Sequence, residues 1–475
     1  MTRVDFTKIN DFIALTPIDG RYRRYTASLV NFLSEAALNR ERVWVESNWV
    51  VALSEKQAVP GIPELTSKQK EFFLSLADKF DEESIKWLSE KEKETQHDVK
   101  AIEYYIDFEI DKSSLFSEEE ARRLKLSVHF CCTSEDINNL SYALCVKRAV
   151  EECWLPKGQE FIANLTKIAQ DNIDIPMLAK THGQPATPTT LGKEIAVFVW
   201  RLKRQVKLIE NQEYLGKING ATGTFGAHTV AVPGFNWPEF AKFFVEEKLG
   251  LTYNPLTTQI ESHDWQVELY DRAAHFGRIL HNFATDIWTY ISNEVFGQIP
   301  VAGATGSSTM PHKINPIKFE NAEANLEISD ALFSKLSETL ATARMQRDLT
   351  DSTTQRNIGV AFAHSLLAIC NLNDGISRLY VHKDNLSAEL DRNPAVLSEA
   401  IQTVMRAAGI AGVPGMDDPY KKLKDLTRGH DEITMESLRE FVKKQNLPKE
   451  TEERLLALTP ATYIGIAPEL GKLAL

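Results

Sequence analysis

An all-α fold is what this sequence predicts, and three observations carry the prediction. Between Gly192 and Gly216 no Gly or Pro interrupts the chain, which suits one long helix. Further on, Leu269, Ala273, Phe276, Leu280, Phe283, Ile287 and Tyr290 alternate four and three apart, a heptad seam with Gly277 tolerated inside it. No β-rich segment stands out anywhere. Helices this long and apolar on several sides need partners along their whole length; a bundle supplies them within a chain, and other subunits can cover the surplus. From about Asn371 the patterns shorten, with breakers in NPAV, AGVPGMDDP and LTRGHD. The expected organisation is therefore three helical domains: 1–115, a central long-helix bundle over 116–370, and a smaller one over 371–475.

The bulk properties bound the function. A chain of 475 residues is ample for such domains and a large core. Its net charge of −12 argues against nucleic acid and anionic membranes as partners, while leaving small anionic substrates open to local basic clusters. No stretch approaches the ~18 apolar residues a bilayer span needs, and MTRVDFTKINDF lacks the apolar run of a signal peptide, so a cytoplasmic protein is expected. Cysteines 131, 132, 145, 153 and 370 are odd in number and form no C-x-x-C, which predicts reduced thiols and no zinc site.

Taken in order, PIDGRYRRY (Pro17–Tyr25) is a turn leading into a basic–aromatic cluster, readable equally as a solvated charge run beside a helix start. In ETQHDVKAIEYYI, Thr95 is positioned to cap a helix carrying His97, Asp98 and Lys100. In HFCCTSEDINNL, Thr133 and Asp136 approximate a capping box opening a helix expected to last until Pro156. Thr133 and Ser134 at that N-terminus suit capping and the binding of a carboxylate or phosphate equally. In AKTHGQPATPTTLGKE, Pro185 and Pro188 forbid a regular helix and place His182 on a shaped loop. There it either exchanges a proton near neutral pH or merely bonds the turn. LGKINGATGTFGAH matches no nucleotide-phosphate motif, so its glycines read as permitting a turn or close packing.

The densest stretch is GATGSSTMPHKINPIKFENAE, Gly303–Glu323. Gly303 and Gly306 loosen the backbone before Ser307 and Ser308; Pro311 and Pro316 stiffen the far side around His312, Lys313 and Asn315. A helix follows from Ile317, with Ile328, Leu332, Leu336 and Leu340 four apart on one face. No Asp or Glu stands between Gly303 and Lys318, so hydroxyls, backbone N–H groups and an ammonium converge on a place suited to an anion. Beyond that helix, Arg344, Arg347 and Arg356 with Ser352 and Thr353 form a second donor cluster, for which pairing with Asp348 and Asp351 is the competing explanation.

GSSTMPHKINPIKFE resembles the signature loop of the fumarase/aspartase superfamily. RYRRY, QHDVKAIEY, TSEDINNLS, THGQPATPTTLGKE, LGKINGA, TTQIESHD, MPHKINPIKFEN, QRDLTDST and LTPATYIG, in that order, resemble the bacterial adenylosuccinate lyase family over nearly the whole chain. One departure is Gln96, where the family pattern has Asn before the His-Asp pair. The resemblance implies β-elimination of fumarate from adenylosuccinate, giving AMP, and from SAICAR, giving AICAR, without metal or organic cofactor. It implies Ser307 as general base, His182 as general acid, Glu320 as the carboxylate orienting it, and Lys313 with Asn315 stabilising the charged intermediate. Thr133, Ser134 and Ser308 would assist. Arg21, Tyr22, Arg347, Ser352, Thr353 and Arg356 would hold the phosphate and a succinyl carboxylate, and Gln96, His97, Asp98, Gln259 and Asn321 other polar groups of the substrate. A homotetramer with sites shared between subunits is implied, its core being the long-helix bundle. The rivals are argininosuccinate lyase, another fumarate-releasing lyase, or a silent structural homologue. The Arg-rich QRDLTDSTTQR stretch disfavours aspartase, whose substrate has no phosphate.

Overall fold

In the computed structural model the described residues are 14–300, 310, 312–427 and 433–475. Long helices dominate, and the strands among these residues are only two or three residues long. The chain divides into two compact units: 1–159 with 205–281 and 322–370, and 160–204 with 282–321 and 371–475.

Several helices of the first unit are capped by side chains. Ser34 Oγ accepts from Ala37 N at 3.1 Å at the start of Glu35–Glu55, and reciprocal boxes pair Thr66 with Gln69 and Ser117 with Glu120. These helices close over Val43, Val50, Phe73, Leu88, Ile102, Tyr105 and Leu124, a core of their own. Beside it, Trp154 meets Phe276 and Phe362 at 5.4 and 5.7 Å between ring centres, and Phe333 meets Phe362 at 5.0 Å. The Trp154 indole donates to Ser365 Oγ at 2.9 Å, so the burial leaves no orphaned N–H.

In the second unit Phe283 packs on Phe161 and Phe198 at 5.5 and 5.4 Å. Leu397, Ile401, Met405, Leu438 and Val442 form a separate C-terminal core.

The all-α prediction holds. The heptad seam lies on the helix Asp264–Ser292, and all of its members but the half-buried Tyr290 are fully buried in this one chain. The uninterrupted run after Gly192 is the helix Leu191–Glu210. Three local expectations differ. The helix Ile317–Leu340 does not bury Ile328, which is 46% exposed; its buried line is Phe319, Ala322, Leu326, Ser329, Phe333, Leu336 and Leu340. A strict spacing of four drifts about 40° per step on a helix of 3.6 residues per turn, whereas alternating three and four does not. The helix begun at Ser134 does not stop at Pro156: it runs to Ala149, widens into a π-turn over Val150–Trp154, and continues as Leu155–Asp171. The Pro falls at the second position of the new helix, where its missing N–H costs little. Finally, Thr95 ends a helix, Glu82–Thr95, and His97 is the residue that caps the next, Asp98–Lys112.

Candidate functional site

Four of the stretches singled out above converge in the first unit. The organiser is Asp136, wholly buried. It accepts from Thr133 N at 2.8 Å, completing the expected half of the capping box, and also from Asn219 N at 2.9 Å and Gly220 N at 3.1 Å. Lys217 Nζ, equally buried, lies 2.8 Å from it. A buried pair of this kind is tolerable only when fully hydrogen-bonded, and here that requirement ties TSED to LGKING. At Gly223, with φ +73°, a Cβ would overlap the Thr257 carbonyl, so only glycine lets the ATGT loop lie against TTQI.

Gln259 then donates from Nε2 to Ala221 O at 2.9 Å and accepts from Arg347 Nη1 at 3.4 Å. Arg347 Nη2 pairs with Glu135 at 2.9 Å, and its Nε has no hydrogen-bond partner among the described residues. Half-buried Thr133 and Ser134 stand next to Glu135 in sequence. The result is a guanidinium fixed on Glu135, the residue that follows two half-buried hydroxyls at a helix N-terminus. Asp348 and Asp351 feel the charges of Arg344 and Arg347 but make no ion pair with them within 4 Å among the described residues. Asp348 accepts from Arg344 N and Thr350 N, and Asp351 accepts from Ser352 N, because side chains this short reach the neighbouring turn first.

A second cluster surrounds Asp98. It accepts from buried Arg42 at 2.8 Å, with Arg356 Nη2 3.6 Å away. Burial opposes ionisation of Asp98, but Arg42, the Val99 N–H and Arg356 outweigh it, holding the carboxyl below its usual range. Arg356 also pairs with Glu35 at 2.8 Å and lines a cavity of about 200 Å³ with Asp19, Arg23 and Thr26. Arg21 is exposed, 6.0 Å from the Tyr22 ring centre. Ser352 is half-buried and Thr353 exposed on the short helix between Arg347 and Arg356. His97 Nδ1 accepts from Lys100 N at 3.1 Å, so a neutral ring presents Nε2–H outward. Gln96 occupies the left-handed region, φ 54°, a conformation that Asn tolerates better than Gln; its Nε2 folds back onto Lys93 O at 2.7 Å.

The second unit holds the remaining residues. Strands Lys180–Thr181 and Gln184–Pro185 form an antiparallel hairpin whose two-residue turn is His182 (φ 55°) and Gly183 (φ 73°). Two positive φ values in succession make a primed turn, which throws the imidazole to the exposed tip. Lys313 is exposed, and Asn315 is half-buried on the approach to the helix Ile317–Leu340. At that helix's start Glu320 accepts from Trp288 Nε1 at 3.2 Å, and Asn321 Oδ1 accepts from Asn371 at 2.7 Å. Ser307 and Ser308, with Gly303, Gly306 and Pro311, lie outside the described residues.

The family model for "Lyase" matches residues 20–329, and that for "Adenylosuccinate lyase C-terminal" matches 343–464. The adenylosuccinate lyase of Haemophilus influenzae is 44% identical over 463 residues, covering 98% of this chain and 99% of that protein. The chain belongs to the adenylosuccinate lyase family. The Escherichia coli K12 adenylosuccinate lyase is 43% identical over 97% of this chain and 98% of its own length. Among solved structures, a fumarate lyase from Mesorhizobium sp. BNC1 superposes with a TM-score of 0.73 at 17% identity, over 94% of this chain and 97% of that one. The 3-carboxy-cis,cis-muconate lactonizing enzyme of Pseudomonas putida gives 0.71 at 19%, over 95% and 97%. Both share the fold.

Set within the adenylosuccinate lyase family, the geometry adds residues that sequence reading missed: Glu135 and Arg42, which fix Arg347 and Asp98, and Trp288, which holds Glu320. Glu135 was adjacent to a flagged pair. Arg42 and Trp288 stand in ordinary helical sequence and carried no signal.

Proposed function

We propose that this chain, a carbon–nitrogen lyase of the adenylosuccinate lyase family, cleaves adenylosuccinate to AMP and fumarate and SAICAR to AICAR and fumarate. The observation that carries the reading is the gathering of Thr133, Ser134, Gln259 and Arg347 on one anchored patch whose guanidinium is oriented by Glu135 and Gln259, in a chain 44% identical to an adenylosuccinate lyase.

In the reaction, Ser307 as alkoxide removes the proton from the carbon next to a succinyl carboxylate, giving a doubly charged aci-carboxylate. Its electrons then form the fumarate double bond as the C–N bond breaks, and His182 protonates the departing nitrogen. Such an intermediate needs preorganised donors in a water-poor site, the role assigned to Lys313, Asn315 and the loop amides, with Thr133, Ser134 and Ser308 assisting. The same positive surroundings would stabilise the serine alkoxide. The guanidinium groups of Arg21, Arg347 and Arg356, with Tyr22, Ser352 and Thr353, would take the phosphate and a carboxylate. His97, through its outward Nε2–H, and Asp98, Gln259, Asn321 and Gln96 would meet the remaining polar groups of the substrate, with Arg42 holding Asp98 in place.

Glu320, exposed at a helix start, would orient His182 in sites shared between subunits of a cytoplasmic homotetramer. The division into domains 1–115, 116–370 and 371–475 remains a proposal: the C-terminal core lies within 371–475, whereas the N-terminal core extends past 115 to Leu124 and Val128. Nucleic acid and membrane are not expected partners, and among the described residues no helix is long and apolar enough to cross a membrane. The test is absorbance with adenylosuccinate, argininosuccinate or aspartate as sole substrate. Loss of adenylosuccinate alone is expected, and consumption of either other compound instead overturns the reading.

A further inference from the structure

The hairpin that carries His182 is a poor platform by itself. All four of its strand residues are exposed, and isolated two-stranded hairpins are marginal in water. Pro185 cannot donate to the ladder. His182 holds a left-handed φ of 55°, strained for a side chain with a Cβ. Something else must fix the imidazole.

Two carboxylates of the C-terminal helices meet the two ends of this hairpin. On the incoming side, Lys180 Nζ pairs with Glu389 Oε1 at 2.8 Å; Glu389 stands near the end of the helix Lys383–Asp391 and is less than a quarter exposed. On the outgoing side, Thr187 Oγ1 donates to Glu399 Oε2, at the start of the helix Ser398–Ile410. The same oxygen accepts from Tyr463 Oη at 3.1 Å, so the carboxylate is itself pinned. Between the two ties the Ala186 N–H to Ala179 O bond, 2.8 Å, continues the hairpin, and a short antiparallel pair, Pro176–Met177 with Thr189–Thr190, closes the base of the loop without reaching its tip.

We infer that Glu389 and Glu399 are positioning residues for the His182 imidazole: together they clamp the loop from both sides and hold its tip in the strained turn. This rests on the reading of His182 as general acid. Proton transfer to a leaving nitrogen is sensitive to displacements of an ångström, whereas substrate affinity at a distant phosphate is not. Loss of a tie therefore falls on kcat rather than KM.

The test is a double-mutant cycle on the full-length enzyme with adenylosuccinate. Glu389→Leu and Glu399→Leu are each expected to lower kcat roughly ten- to hundredfold with KM changed less than about twofold. The charge swap Lys180→Glu with Glu389→Lys is expected to restore most of the loss, which a merely destabilising change would not allow. In a His182→Gln background the same substitutions are expected to cost nothing further, since there is no imidazole left to aim. Should a Glu variant fail to fold, Lys180→Met and Thr187→Val cut the same ties from the hairpin side. If His182→Gln collapses kcat but the clamp variants leave it within twofold, or multiply with His182→Gln, the clamp is refuted while the general acid stands. If His182→Gln itself leaves kcat within a few-fold, it is the assigned acid that fails.

Discussion

Arg347 has a different environment at each of its nitrogens: Glu135 on Nη2, Gln259 on Nη1, and no partner among the described residues on Nε. A guanidinium held this way is oriented in advance and loses little entropy on meeting an anion. Arg347→Met is expected to raise KM for adenylosuccinate by about tenfold or more, and to lower the melting temperature because Glu135 is left buried without a counter-charge. Steady-state kinetics and a thermal melt check the two parts separately. His129 offers a pH test. Burial opposes its protonation, but Glu46, 2.5 Å away and fully buried, more than compensates and raises the imidazole above its ordinary value of 6.5. A raised folded pKa contributes stability that is complete below 6.5 and fades as pH climbs through the raised value. The melting-temperature gap between wild type and His129→Gln is therefore expected to be wider at pH 6 than at pH 9; equal gaps would contradict the assignment. At this scale the sequence showed which residues carry charge and donors, since motif spacing preserves them. It did not show Arg42 beside Asp98 or Glu46 beside His129, because those pairings cross long stretches of chain between unremarkable helices.

The elements were legible where local chemistry decides them. The break at Gly192, the capping pair Thr133–Asp136 and the prolines around His182 each forecast a boundary that the structure keeps. They were less legible where packing decides. Ile328 fell on the exposed face because the buried line follows alternating three and four spacing, and the helix past Trp154 survives Pro156 through a π-turn that no propensity announces. In the Gly-rich stretch, read as permitting a turn or close packing, Gly223 does make such a close approach. Gly223→Ala is expected to destabilise by about 1–3 kcal/mol from the positive φ alone, and by more from the overlap with the Thr257 carbonyl. Chemical denaturation measures it, and a change under 0.5 kcal/mol would show that the loop relaxes freely.

For the whole molecule, the heptad seam is filled by the chain's own side chains, so it is not the face left over for assembly. Val197 and Trp200 on one long helix and Trp288 on another remain 40%, 52% and 42% exposed, apolar surface of the kind that other subunits would cover in the proposed tetramer. Exposed positions of His182 and Glu320 fit sites completed between subunits. The most direct measurement is adenylosuccinate turnover by His182→Gln, by Ser307→Ala, and by the two mixed after dissociation and reassembly. Each variant alone is expected to fall at least about a hundredfold, and the mixture to regain part of the wild-type rate as intact sites form from complementary chains. Either variant alone turning over within a few-fold of wild type would contradict the acid–base account, and two dead variants whose mixture stays dead would contradict shared sites.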